Sequence, residues 1–196
     1  MIPANPLASL IVISAFTMVL YVSEGIDAAL NGALNDDGII PREVNGLDGI
    51  VWAPLLHADW PHLLANTIPV LVLGFLAMAG GIGQFVAVTA TIWIISGLGT
   101  WLTGEDNSVH LGASGLIFGW LTFLLVRGFF ARSFGQILVA VALFLLYGGT
   151  LLGVLPGQPG ISWQAHLFGA VGGVLAAWLV SSADRARSRQ RVRPAA

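Results

Sequence analysis

The chain has 196 residues, 56% of them hydrophobic and 9% charged, with mean hydropathy +0.85. Soluble domains carry about 25% charged residues, so a soluble globular protein is excluded and a polytopic membrane protein is left. A net charge of −2 argues against nucleic acid as a partner, and the absence of cysteine removes disulfides and thiolate metal sites.

A helix needs about 20 apolar residues to cross roughly 30 Å of hydrocarbon. Six stretches qualify, at about 7–29, 61–79, 83–102, 113–126, 134–155 and 163–182. No basic residue precedes the first, so it reads as a span and not as a cleaved signal peptide. The loop that follows, 31–60, is too long for a simple hairpin. In it Ile40, Val44, Leu47 and Val51 recur at helical spacing among Arg42, Glu43, Asn45 and Asp48. That pattern predicts a segment lying in the membrane interface, bounded by Pro41 and Pro54. Span two carries His62 and Asn66. A polar loop, Glu105 to His110, precedes Gly112-Ala113-Ser114-Gly115, which opens span four. Span four is short because Arg127 is expected to end it. Span six carries His166. An Arg-rich tail, 183–196, is expected to be disordered.

Charge placement sets an orientation. Arg127, Arg132 and the five Arg of the tail share one side of a six-span chain, seven of the eight basic residues. Basic residues mark the cytoplasmic face. The fold expected is therefore an all-α bundle of six transmembrane helices in the cell membrane, with both termini cytoplasmic. Ser114 then lies near the outer surface, where the loops at Glu105–His110 and Pro156–Gly160 also emerge.

Polar side chains at membrane depth cost free energy and mark function. Ser114, His62, Asn66 and His166 all fall in the outer half of their spans. A hydroxyl and an imidazole within hydrogen-bond reach make a nucleophile and its base. His62 and Asn66, four apart on one helix face, can both donate hydrogen bonds while neutral. Paired donors suit a developing oxyanion, to which the backbone around Gly112 and the start of the helix would add N–H groups. The plainer reading of His62 and Asn66 is an interhelical hydrogen bond. Gly115 and Gly119, like Gly169 and Gly173, form small-xxx-small faces that would let spans four and six approach closely. No carboxylate lies in the outer half of spans two, four or six, so a Ser114–His166 dyad is expected in place of a triad. Phe118, one turn below Ser114, is the candidate for holding the imidazole by stacking. A base of this kind fails once protonated, so activity should fall below roughly pH 6 to 7.

These residues resemble the rhomboid intramembrane serine proteases. The Gly-x-Ser-Gly motif of that family stands here as Gly112-Ala113-Ser114-Gly115. Its Ala-His-x-x-Gly-x-x-x-Gly motif stands as Ala165, His166, Gly169 and Gly173. Its His-x-x-x-x-His-x-x-x-Asn pattern stands as His57, His62 and Asn66. The motifs fall on spans two, four and six in the family's order, and the resemblance covers residues 7–182. It implies the basic six-span form with no large soluble domain added. It implies Ser114 as nucleophile, His166 as general base, and His62 and Asn66 as oxyanion donors with the Ser114 N–H. It also implies transmembrane proteins as substrates, cut where their helices are readily unwound, and no cofactor or metal. Many members have Trp before Arg in the first loop; here Pro41 precedes Arg42. Two other readings compete. A rhomboid-like pseudoprotease would bind membrane clients without cutting them, and a small transporter would use His62 and His166 as proton carriers.

Overall fold

The computed structural model describes residues 2–192, with side chains to Arg187. Seven α-helices follow one another: α1 (Pro6–Ala29), α2 (Gly49–Trp52), α3 (Trp60–Ala77), α4 (Ile82–Thr103), α5 (Ser114–Ala131), α6 (Phe134–Tyr147) and α7 (Trp163–Val192). Short 3-10 turns continue α3 to Gly80 and α6 to Val154. All but α2 are long and apolar enough to cross a membrane, which gives six spans and a multi-pass membrane protein. Among the described residues the only β pairing is an isolated bridge, Ile39 to His110.

The helices begin where their sequences say they should. Asn5 caps α1 and Asp59 caps α3 through side-chain oxygens, each with proline in the first turn behind it. Helix α5 is the centre of the bundle, with 61% of its span buried against 11% for α6. Its glycine face meets that of α7. A Cβ on Gly169 would collide with the carbonyl oxygen of Gly115, and one on Gly173 with that of Gly119. Backbones this close allow side chain to backbone hydrogen bonds between helices. Thr122 Oγ1 donates to the Ala170 carbonyl at 2.9 Å, and Ser96 Oγ on α4 donates to the Ala165 carbonyl at 2.9 Å. Helix α1 packs on α3, where Ile13 fills the space left by Gly74 and the Tyr21 and Thr67 hydroxyls lie 3.0 Å apart.

Three expectations need correction. Arg127 does not end span four. It is buried inside α5, where Nη2 donates to Gln84 Oε1 at 3.2 Å and the guanidinium lies 5.4 Å from the Phe123 ring. A paired, stacked arginine is tolerated in a helix that a bare charge would have stopped. The expected start of the tail at 183 is not a helix end either. Helix α7 runs to Val192, because 183–192 contains no glycine or proline and is rich in arginine and alanine, both good helix formers; 193–196 lie outside the described residues. Finally, the first loop is not one interfacial helix. It is a chain of 3-10 turns with the four-residue α2, and Pro54 falls inside a turn instead of bounding one. Val44, Leu47 and Val51 still form an exposed apolar row, while Ile40 is half-buried.

That loop is held to α4. Trp93 Nε1 donates to the Ile50 carbonyl at 2.7 Å and Trp101 Nε1 to the Glu43 carbonyl at 2.8 Å. Arg42 Nη1 donates to the carbonyls of Leu102, at 3.2 Å, and Gly104, at 2.8 Å, where α4 ends, and Arg42 also pairs with Asp106. A cation at a helix C-terminus meets the negative end of its dipole. Arg42 thus ties the first loop to the strip of chain that leads into Ser114.

Candidate active site

Ser114 is the first residue of α5, and Ala113 before it supplies no side-chain cap. The first N–H groups of a helix have no intrahelical acceptor, so the Ser114 N–H points out of an uncapped helix start. The approach is fixed by Gly112, whose φ of +120° is open to glycine alone. A Cβ there would also come within 2.7 Å of the His62 ring. Gly112 therefore makes room for His62. It is not an oxyanion donor, because its N–H is already given to the Ala53 carbonyl at 2.8 Å. That corrects the expectation from sequence: a carbonyl of the first loop takes the N–H that the turn at Gly112 seemed to free.

His166 sits in the first turn of α7. Its Nε2 lies 2.8 Å from Ser114 Oγ and its Nδ1 lies 3.0 Å from the Gly153 carbonyl oxygen. A carbonyl only accepts, so Nδ1 carries the proton and Nε2 is left to accept from the serine hydroxyl. The Phe118 ring stacks on the imidazole, with centroids 4.0 Å apart and planes 9° from parallel. Orientation normally given by an aspartate is here given by a backbone carbonyl and an aromatic face. Sequence reasoning missed Gly153. Its signal was the run Gly148-Gly149 and Gly153 inside an apolar span. That run turns α6 into a 3-10 helix, and a Cβ at 153 would meet Phe118 at 2.9 Å and His166 Nδ1 at 3.0 Å.

His62 and Asn66 face Ser114 from the first turns of α3. Asn66 gives one amide hydrogen to the His62 carbonyl at 3.0 Å, which leaves the second for a ligand. Ser114, His166, His62, Asn66 and Phe118 line one cleft of about 690 Å3 that reaches the loops at Glu105–His110 and Gly157–Ser162. Gly115, Gly119, Gly169 and Gly173 stand behind it as the helix contact and do not line it.

Two further histidines frame the site. His57 is 1% exposed, its ring lies 5.1 Å from that of His62 edge to face, and its Nε2 accepts from the Ala113 N–H at 3.5 Å. Burial, aided by His62, lowers its pKa from 6.5 to about 4, so it is neutral. His110 bridges the Ser108 and Ser162 hydroxyls at 2.8 and 2.7 Å, joining the loop before α5 to the start of α7. Burial lowers its pKa too, against the pull of Glu105.

This arrangement can abstract a hydroxyl proton and stabilise an oxyanion at membrane depth. Comparison with known proteins agrees on lineage: the model of the rhomboid domain matches residues 45–183, which include every cleft residue named above. The chain belongs to the rhomboid family. An uncharacterized protein of Mycobacterium tuberculosis is 52% identical over 188 residues, 91% of this chain and 78% of that one. YdcA of Bacillus subtilis, whose name marks it as a candidate rhomboid protease, is 35% identical over 127 residues, 64% of this chain and 63% of YdcA. Rhomboid-like protease 5 of Toxoplasma gondii is 30% identical over 153 residues, 74% of this chain and 17% of the parasite protein. The rhomboid fold expected from the motifs is thus the fold found, six apolar helices with no strand among the described residues.

Proposed function

We propose that this rhomboid-family chain is an intramembrane serine endopeptidase that cuts transmembrane proteins in or near their spans. The observation that carries the reading is the Ser114 Oγ to His166 Nε2 distance of 2.8 Å, with Nδ1 committed to Gly153. As Ser114 Oγ attacks the scissile carbonyl carbon, its proton passes to His166 Nε2. The carbonyl oxygen becomes an oxyanion and is met by the Ser114 N–H, by His62 and by the free amide hydrogen of Asn66. Collapse breaks the C–N bond, and Nε2 returns the proton to the leaving amine. Water entering through the cleft then attacks the acyl ester with His166 again as base, which frees the acid and restores Ser114.

A transmembrane helix hides its carbonyls in its own hydrogen bonds. Substrates are therefore segments that unwind readily. The basic residues favour both termini in the cytoplasm of a cell-membrane protein, with the cleft opening outward. A client-binding pseudoprotease would have no use for a hydroxyl held on a tautomer-fixed imidazole, and a proton carrier would have no use for the uncapped helix start.

The test is cleavage of a model transmembrane substrate by purified protein in lipid. Wild type should cut, and Ser114→Ala and His166→Ala should not. Turnover should fall on acidification once the base takes up a proton. Cleavage that persists in Ser114→Ala would reject the mechanism.

A further inference from the structure

The opposite end of the bundle carries a second cleft, of about 720 Å3, between the α5–α6 turn and the last part of α7. Arg132, Ser133, Ser181 and Arg185 stand on its walls. Arg132 is exposed and makes no ion pair among the described residues. Arg185 is fixed at the rim, with Nη1 on the Phe130 carbonyl and Nη2 on Ser182 Oγ, both at 2.9 Å. These bonds use two of its five N–H donors. Helix α6 starts at Phe134 without a capping bond from Ser133, so its first N–H groups have no acceptor within the helix. Gly135 in that turn has open space where a side chain would stand. Ser181 is 2% exposed, yet its hydroxyl has no partner among the described residues. Asp184, the carboxylate on the wall, is engaged within the protein.

Guanidinium groups, free hydroxyls and an open helix start are all donors, and together they fit an anion with several acceptor oxygens. The neighbouring surface is apolar: Phe129, Phe134 and Leu138 are 65%, 73% and 55% exposed. An anion that brings its own hydrocarbon satisfies both surfaces at once. We propose that this cleft binds the phosphate headgroup of an anionic phospholipid, with the acyl chains against Phe134 and Leu138. The lipid would then pin the α5–α6 turn to α7 at the end of the bundle remote from Ser114.

Native mass spectrometry of the full chain in detergent reads this directly, with phosphatidylglycerol and phosphatidylcholine of identical chains as probes. Wild type should retain phosphatidylglycerol in preference. Arg132→Gln and Arg185→Gln should each weaken that retention about fivefold, the share of one basic residue at an anionic surface. Equal retention by wild type and both variants overturns the proposal, as does displacement of the lipid by equimolar inorganic phosphate, which would assign the cleft to a free anion. A phosphatidylglycerol with a photoreactive headgroup needs no variant. It should label wild type within 130–137 or 181–187, and labelling elsewhere overturns the proposal. None of these readouts depends on proteolysis.

Discussion

At the scale of the residue, the imidazole of His166 is oriented without a carboxylate. Gly153 supplies the acceptor and Phe118 the flat wall, so each should matter to turnover more than to stability. Gly153→Ala would push a methyl against both His166 Nδ1 and Phe118. A displacement of that size should lower kcat by about 10²-fold with little change in KM. Phe118→Leu keeps an apolar side chain and removes the stacking face; kcat should fall about fivefold, the worth of an aromatic contact beyond its area. Unchanged kcat in both variants would mean that the base is held by something else. Ser114, His166, His62 and Asn66 were legible as types at spacings on three spans. Gly153 was not, because a backbone carbonyl leaves no mark in sequence beyond the glycine that exposes it. Gly112 was half legible: its positive φ was foreseeable, but the partner that takes its N–H lies in the distant first loop. His57 adds a stability prediction. Folded, it resists protonation down to about pH 4, while the unfolded chain binds that proton near 6.5. The unfolded state therefore binds more protons between those values, and stability is lost as pH falls from 6.5 to 4. His57→Gln keeps an acceptor for the Ala113 N–H and does not titrate, so its melting temperature should fall less steeply over that range than that of wild type.

At the scale of the element, the glycine faces of α5 and α7 set the distance between Ser114 and His166. Gly169 faces the Gly115 carbonyl with no room for a methyl. Backbone cannot yield as a side chain tip does, so Gly169→Ala should destabilise the fold by about 1–3 kcal/mol, read from unfolding in mixed micelles. Gly83→Ala, where the added methyl meets nothing within 4 Å, serves as a control and should leave stability unchanged or higher. The spans themselves were readable from hydropathy to within a few residues, except where polar groups were neutralised locally. Span four continues past Arg127 because Gln84, on another helix, holds the guanidinium. Pattern alone could not show that partner. The first loop misled for a related reason. Its apolar residues do repeat at helical spacing, but Trp93 and Trp101 on α4 each take one loop carbonyl and Arg42 reaches to the carbonyls at the end of α4, so the backbone is drawn into separate turns.

At the scale of the whole molecule, one end of the bundle holds the Ser114 cleft and the other holds most of the arginines. The reading of Ser114 as outward-facing rests on that asymmetry, and it is open to a simple check because the chain has no cysteine of its own. Pro156→Cys, in an exposed loop at the cleft end, should react with a membrane-impermeant maleimide in intact cells. Ala186→Cys, exposed at the other end, should react only after lysis. The reverse pattern would place the cleft on the cytoplasmic side. The most direct measurement of the Ser114–His166 dyad is covalent labelling of the intact protein in lipid by a fluorophosphonate, which reacts with a serine only when its hydroxyl is activated. Peptide mapping should find the adduct on Ser114 in wild type and lose it in His166→Ala. An unlabelled Ser114, or one labelled equally well without His166, would contradict the dyad.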